Sequence, residues 1–229
     1  DAIMGDVEAV VAATTDGQAT VVSRDETRRI AVEPPFERIT MQRLVERACG
    51  FDLLEALDYP SLRERVDKLD LLGGGLERRH PSDSGRWDEL FFELMVTHIE
   101  PELADMGAVF VTEWPAPLAV LARKSDEDPR VARRFELFVG GVELANGFDE
   151  LCDPKEQRSR FEQDIEERES LGKPALPMPD ELLDGLSYGL PPSAGVALGL
   201  DRLLMIRSGA ASIEHVLPFA RDGGLRERS

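Results

Sequence analysis

The sequence contains very little cysteine and no long apolar segment. Its only cysteines are Cys49 and Cys152, and their spacing indicates neither a metal site nor a disulfide framework. Such sparing use of cysteine is typical of proteins in a reducing cytosol. No apolar run reaches the roughly 18 residues that a membrane-spanning helix needs, and we recognise no signal peptide. These absences predict a cytoplasmic protein without a membrane partner.

Positive charge is also scarce. The sequence contains 27 Lys and Arg residues and 45 Asp and Glu residues, which gives a net charge of −18 at pH 7. A protein that binds the phosphate backbone of a nucleic acid over a broad surface needs the opposite balance. The charge therefore disfavours tRNA as a partner and favours small molecules or another protein. A length of 229 residues suits one domain, with room for a subdomain.

The character of the sequence changes near residue 105. Before this point the apolar spacing mainly predicts helices, and after it β-rich runs dominate. We therefore divide the chain into a mainly helical part, residues 1–105, and a β-rich part, residues 106–229. The helices expected in the first part cover residues 2–14, a segment capped by Thr40 that ends at Cys49, a segment capped by Ser61 that ends at Leu69, and Trp87 to Ile99.

A β-hairpin is predicted around Gly140-Gly141. Strand-forming runs flank these glycines, from Phe135 to Val139 and from Val142 to Ala145, and the pair suits a two-residue turn with positive φ. With strict alternation, position 136 opposes 145 and position 138 opposes 143, so Glu136 and Glu143 share one face. At a Cα separation of roughly 7–8 Å, two carboxylates repel unless a cation lies between them or one is protonated. The pair indicates either a Mg²⁺ site or two solvated glutamates.

A second chemical signal is the segment from Ser193 to Arg202. Small residues alternate with apolar ones, as in a buried strand, and the pattern continues directly into a helix. Arg202 falls in the first turn of this helix, where the helix dipole disfavours a cation. A bound anion such as a polyphosphate would explain the arginine. A surface arginine after a glycine-containing core strand is the alternative.

The pattern Gly195-x-Ala197-x-Gly199-x-Asp201-Arg202 resembles motif 3 of the class II aminoacyl-tRNA synthetases, with alanine in place of the middle glycine. The run from Phe135 to Leu151 is similar to the lysyl-tRNA synthetase branch of this family. Within that branch, the chain resembles the paralogues that attach β-lysine to a lysine of elongation factor P, which also have this alanine. The resemblance implies a fold that contains both helices and strands, α/β in the broad sense and α+β in the strict one. Its antiparallel sheet would be flanked by helices. It also implies ATP and Mg²⁺ as cofactors.

The resemblance further implies roles for individual residues. Arg202 would contact the γ-phosphate of ATP, and it is the residue to which we assign a catalytic role. Glu136 and Glu143 would hold Mg²⁺. The wider ATP site would consist of Glu143, Leu144, Gly199 and Arg202. A lysine-type amino acid would be bound by Asn146, Phe148, Glu150, Gly195 and Ala197.

Two details of this assignment are open. Strict alternation places Asn146 on the face opposite Glu143, so either the strand bulges around Gly147 or Asn146 reaches the pocket from its edge. The methyl group of Ala197 would shift the place of the substrate amino group, which is the only difference between α- and β-lysine. A neutral exchange of glycine for alanine is the alternative.

Motifs 1 and 2 of the family are not recognisable, and neither is an anticodon-binding barrel. We therefore expect a catalytic core that is incomplete at its N-terminus and lacks the arginine that contacts the α-phosphate in the family. The parent reaction would be ATP-dependent activation of β-lysine and its ligation to elongation factor P. For the full-length parent protein, a homodimer is one of the open alternatives. A lysyl-tRNA synthetase fragment that charges tRNA and a non-catalytic binding module are the other interpretations.

Overall fold

A mixed sheet forms the centre of the structure, which the computed structural model describes for residues 1–22, 26–73, 82–174 and 176–219. The strands are β1 (Gln18–Val22), β2 (Thr27–Ala31), β3 (Glu37–Thr40), β4 (Ala108–Pro115), β5 (Val131–Val139), β6 (Val142–Asp149) and β7 (Ala194–Leu198). Strands β3 to β7 form a five-stranded sheet in that order, while β1 and β2 form a separate ribbon. Among the described strands, β3 and β4 are the parallel pair, and the other neighbours are antiparallel.

Helices cover both faces of the sheet. They are α1 (Ala2–Thr15), α2 (Met41–Cys49), α3 (Tyr59–Lys68), α4 (Asp83–Leu94), α5 (Glu100–Asp105), α6 (Pro154–Ser170), α7 (Asp180–Gly189) and α8 (Leu200–Ser208). Helices α2 to α5 pack against Val109, Val111 and Phe138 on one face. The ribbon, α1 and α8 pack against Phe110 and Leu137 on the other. The predicted fold class, a sheet with mainly antiparallel pairing flanked by helices, is confirmed.

Within the described ranges, no helix combines the length and the apolar character that crossing a membrane requires. The division near residue 105 stays a prediction. Apolar side chains from both parts pack together in the core on one face of the sheet, where Leu44 and Leu90 of the first part join Val111 and Phe138 of the second.

Local capping chemistry explains where two of the helices begin. The Thr40 hydroxyl accepts a hydrogen bond from the backbone N–H of Arg43 at 3.2 Å, so the predicted start of α2 is confirmed. The predicted cap of α3 is wrong. The carboxylate of Asp58 accepts from the Ser61 backbone N–H at 2.9 Å and from the Ser61 hydroxyl at 2.9 Å, so the helix begins at Tyr59. An ionised carboxylate is the stronger acceptor for the free N–H groups of a first turn.

The helix predicted from Trp87 to Ile99 is longer and is divided. Ser82 accepts from the Gly85 N–H at 3.0 Å, so α4 begins one turn earlier, at Asp83. A π-helical turn, Met95–Ile99, then connects α4 to α5. Met95 lines the cleft that is described below. Turns of π-helix are often found beside functional sites.

The cap of α3 provides a test of the fold. Replacement Asp58→Ala should reduce the free energy of unfolding by about 1 kcal/mol, because the N–H groups of the first turn lose their acceptor. Replacement Ser61→Ala removes only the hydroxyl that donates to Asp58 and should cost about 0.5 kcal/mol or less. Urea unfolding of both variants measures the difference. A larger loss in Ser61→Ala than in Asp58→Ala would contradict the assigned cap.

Candidate functional site

The register of the β5–β6 hairpin differs from strict alternation by one residue. Phe138 opposes Glu143, as predicted, but Leu137 opposes Ala145 and Glu136 opposes Asn146. Leu144 is therefore an extra residue on β6, a β-bulge. The predicted pairing of position 136 with position 145 is wrong, and the bulge lies at Leu144 instead of Gly147.

Packing of the core explains why the extra residue is there. Leu144 and its neighbour Ala145 are both buried, with exposures of 2% and 1%, in the core below the sheet. Two consecutive residues can point to the same side of a strand only if the pleat is interrupted. As a consequence, Glu143 and Asn146 both emerge on the face that carries Glu136 and Phe138. The conflict between the faces of Asn146 and Glu143 is thereby resolved.

Strand β7 continues this face with small residues. Ala197 lies opposite Asn146 and Gly195 opposite Phe148 in the antiparallel register. The backbone N–H of Gly199 then donates to the Leu144 carbonyl at 2.8 Å, and α8 begins at Leu200. The predicted strand that runs directly into a helix is confirmed, but its predicted burial is wrong, because Val196 and Ala197 are exposed and β7 has no buried residue. In the described part of the chain, β7 is the last strand of the sheet on this side.

These elements enclose an open cleft of about 440 Å³ on the sheet face. A smaller neighbouring pocket of about 260 Å³ shares Glu143, Asn146 and Arg202 with it. The side chains that line the cleft are Phe92, Met95, Val96, Glu100, Trp114, Leu118, Arg134, Glu136, Phe138, Glu143, Asn146 and Arg202. The smaller pocket adds Leu144, Ala197, Gly199, Asp201 and Ile213. Seven of the predicted site residues thus meet in one connected space.

Glu136 is the most deeply placed carboxylate of the cleft, with a side chain that is 7% exposed. Burial raises its pKa to about 7; the charge of Arg134 opposes this shift and that of Glu143 adds to it. Its Oε1 accepts from Arg134 Nη2 at 2.6 Å and from Asn146 Nδ2 at 3.2 Å. Among the described residues, no hydrogen bond occupies Oε2. This oxygen is therefore available to a ligand.

Glu143 and Arg202 form the second charged pair. Arg202 Nη1 donates to Glu143 Oε2 at 3.1 Å and to the Glu143 carbonyl at 2.9 Å. Both side chains are partly exposed, at 46% for Arg202 and 38% for Glu143. Arg202 lies in the first turn of α8, whose N-cap, Gly199, provides no side-chain acceptor. The glutamate supplies the negative charge that compensates this position, and a phosphate would fit the same place.

The donor set fits a divalent cation that is also bound to phosphate. Mg²⁺ is usually held by one or two carboxylates together with substrate phosphates. Glu136 and Glu143 offer two carboxylates on one face, and each has one oxygen without a hydrogen bond to a described residue. Within the described ranges, no group of three His, Cys, Asp or Glu side chains forms a metal site. A cation here would therefore depend on the phosphates of a nucleotide.

Three of the predicted residues lie outside this cleft. Phe148 packs against a small cluster of Ala119, Ala122 and Ala132. Further along, Glu150 forms a bridge with Ala122, and a Cβ added at Gly195 would lie 2.7 Å from Glu150 Oε1. Burial raises the pKa of Glu150. The structure thus brings Glu150 and Gly195 together. Together with Phe148, they lie near the end of β6 and the start of β7, on the far side of Asn146 from Glu143.

Arg134 and Trp114 were missed by the sequence reasoning. The Arg134 guanidinium lies 4.6 Å from the centre of the Trp114 ring and contacts both Glu136 and Asn146. For Arg134, the sequence did contain a signal. Arg134 and Glu136 are two positions apart on one strand, and this spacing places both side chains on the same face.

Comparison with known proteins gives consistent results. The family model of class II tRNA synthetases (D, K and N) matches residues 1–223. An elongation factor P–(R)-β-lysine ligase from Erwinia tasmaniensis is 44% identical over 188 residues, which are 82% of this chain and 56% of the relative. The protein of the same name from Salmonella dublin is 41% identical over 189 residues, again 82% of this chain and 56% of the relative. The chain therefore spans about half the length of the curated relatives it matches.

The burial of Glu136 predicts a pH dependence of stability. Its pKa of about 7 in the folded state exceeds the ordinary glutamate pKa of 4.5, so between these pH values the folded state binds more protons than the unfolded state. The free energy of unfolding of the wild type minus that of Glu136→Gln should therefore fall as the pH rises from 5 to 7.5. The slope is at most about 1.4 kcal/mol per pH unit. Denaturant titrations in metal-free buffer measure it, and a difference that is flat or rises with pH would contradict the burial of an ionisable carboxyl.

Proposed function

Because the chain belongs to the family of class II tRNA synthetases (D, K and N), we propose that it carries the catalytic core of an ATP-dependent ligase for a lysine-type amino acid. The substrate is β-lysine and the acceptor is a lysine of elongation factor P, as the names of the relatives suggest. A protein that modifies an elongation factor would act in the cytoplasm. The observation that carries the proposal is the meeting of Glu136, Glu143, Asn146 and Arg202 in one cleft.

The nucleotide half of the site consists of the two carboxylates and Arg202. Glu136 and Glu143 would hold Mg²⁺, which supplies positive charge to the phosphates when bound. Arg202 would release Glu143 and bind the γ-phosphate instead. It lies at the N-terminus of α8, and the N-terminus of a helix favours anions. Leu144 and Gly199 join the strand to the helix through one backbone hydrogen bond and so fix the distance between Glu143 and Arg202.

The amino-acid half consists of Asn146 and the residues beyond it. Asn146 would bind the carboxylate of the substrate, and Glu150 would bind an ammonium group. Phe148 lies between them on β6 and would contact the aliphatic part. Gly195 leaves space for the Glu150 carboxylate, because any larger residue would meet it. Ala197, opposite Asn146, would set the position of the amino group.

The reaction then needs only positioning and charge. A carboxylate oxygen of the amino acid forms a bond to the α-phosphorus of ATP, and the bond from that phosphorus to pyrophosphate breaks. The ε-amine of the acceptor lysine next attacks the acyl carbon, loses a proton, and displaces AMP. Holding the reacting groups in line is the main contribution that the cleft residues make.

A binding module without catalysis is the second candidate function. One observation favours it: the two arginines that line the described cleft are both engaged with glutamates. Neither is therefore free to stabilise the charge that develops at the α-phosphate. Binding of ATP and amino acid without turnover would be the signature of this function.

Amino-acid-dependent exchange between ATP and labelled pyrophosphate tests the proposal. The assay should contain Mg²⁺ and, in separate reactions, α-lysine, (R)-β-lysine or (S)-β-lysine, together with a melting curve that shows the chain is folded. We expect exchange that depends on a β-lysine isomer and is lost in Arg202→Ala. A folded chain that binds ATP and β-lysine without exchange supports the binding module, and one that binds neither contradicts both functions.

Replacement Ala197→Gly tests the amino-acid half. Removal of the methyl group should shift the preference from β-lysine toward α-lysine by about tenfold or more, since one methyl is worth about 1–3 kcal/mol of discrimination. The ratio of the dissociation constants for the two isomers measures this shift. Replacement Ala194→Gly on the same strand, a site paired with Asp149 away from the cleft, is the matched control. An unchanged ratio in Ala197→Gly would mean that this position does not set the specificity.

A further inference from the structure

Arg134 is the most highly connected side chain of the cleft. It is 17% exposed, lies over the ring of Trp114, and donates through Nη1 to the Leu118 carbonyl at 3.0 Å. The Trp114 ring supports one face of the guanidinium plane, and the Leu118 carbonyl holds its Nη1. The remaining donors face Glu136 and Asn146.

The three polar side chains form a closed set of hydrogen bonds. Arg134 Nε donates to Asn146 Oδ1 at 3.3 Å, and Arg134 Nη2 donates to Glu136 Oε1 at 2.6 Å. Asn146 Nδ2 donates to the same Glu136 oxygen at 3.2 Å. A rotation of the Asn146 amide by 180° would place its NH₂ group against the guanidinium and its oxygen against the carboxylate. Both contacts would then be repulsive, so the set permits one orientation of the amide.

The fixed orientation has a consequence for ligands. Asn146 lines both the cleft and the smaller pocket. Its amide has two N–H donors, and the contacts with described residues use one of them, toward Glu136. The second donor is available to an acceptor in the cleft, and a carboxylate is the acceptor that an amino acid presents.

We propose that Arg134 is a positioning residue that holds the Asn146 amide with its donor side toward the amino-acid substrate. This inference rests on the proposed function in so far as it names the ligand. Lysine cannot substitute for the arginine, because only a planar guanidinium can lie on the Trp114 ring while it donates to three acceptors in fixed directions. Arg134 itself makes no contact with the reacting atoms and acts through Asn146.

The neighbouring arginine provides a matched control. Arg133 is on the same strand with the opposite orientation, and it pairs with Asp126 and Glu127 at 3.1 Å each on the outer surface. Replacements Arg134→Lys and Arg133→Lys therefore make the same chemical change on two faces of β5. Arg134→Gln, which keeps a planar donor but removes the charge, provides a second variant in case Arg134→Lys does not fold.

The first measurement needs no ligand. The side-chain NH₂ resonances of Asn146 are identified in a ¹⁵N spectrum by their loss in Asn146→Ala. We expect them to move in Arg134→Lys and Arg134→Gln and to stay in place in Arg133→Lys. Unchanged Asn146 resonances in both folded Arg134 variants would overturn the positioning role.

The second measurement is a double-mutant cycle on binding of (R)-β-lysine. Arg134→Lys should raise its dissociation constant by about tenfold, the usual scale of one lost charge-assisted hydrogen bond. In the Asn146→Ala background, the same replacement should have no further effect, whereas a merely structural role would give the same loss in both backgrounds. An equal loss in both backgrounds would overturn the proposal.

The two measurements separate this inference from the proposed function. If the wild type binds neither α-lysine nor either β-lysine isomer, the proposed function fails. The Asn146 resonances still decide whether Arg134 positions the amide, because they are measured in the ligand-free protein.

Discussion

One extra residue in β6 determines what the cleft contains. Leu144 and Ala145 are both buried below the sheet, and this burial turns Glu143 and Asn146 to the opposite face. Full burial of a leucine side chain is worth about 1.5–3 kcal/mol, so the core itself stabilises the bulge. The same Leu144 carbonyl accepts the Gly199 N–H that connects β7 to α8. Packing on one side of the sheet therefore sets the chemistry on the other and also the position of Arg202.

Four of the charged side chains that line the cleft form two pairs, in a protein with a large negative excess. Glu136 pairs with Arg134 in the buried part, and Glu143 pairs with Arg202 at the open end. Such pairs add little to stability, because desolvation offsets much of the attraction in the buried pair and solvent screens the attraction in the exposed pair. Their value is in geometry. Each arginine holds one oxygen of a carboxylate, and the other oxygen has no hydrogen bond to a described residue, so the cleft presents two directed acceptors.

Local patterns predicted the elements, but packing decided the details of the site. The hairpin followed from Gly140 and Gly141, which both adopt positive φ as the turn requires, and the shared face of Glu136 and Glu143 followed from alternation. The register beyond Glu143 could not be predicted, because the bulge depends on a core that no local pattern describes. The cap of α3, by contrast, follows from local chemistry, because the ionised carboxylate of Asp58 is a stronger acceptor than the Ser61 hydroxyl. The roles assigned to Arg202, Glu150 and Ala197 stay predictions until ligands are measured.

The central claim is that the β5–β6 hairpin and the start of α8 bind a divalent cation together with a nucleotide. Mn²⁺ replaces Mg²⁺ at oxygen sites and broadens nearby NMR signals, so substoichiometric Mn²⁺ with and without ATP tests the claim directly. The account predicts ATP-dependent broadening of the backbone amides of Glu136, Glu143 and Arg202, and its loss when both glutamates are replaced by glutamine. Broadening that is independent of ATP and centred on the acidic helix α6 would show that the cation binds the general negative charge of the surface, and would contradict the account.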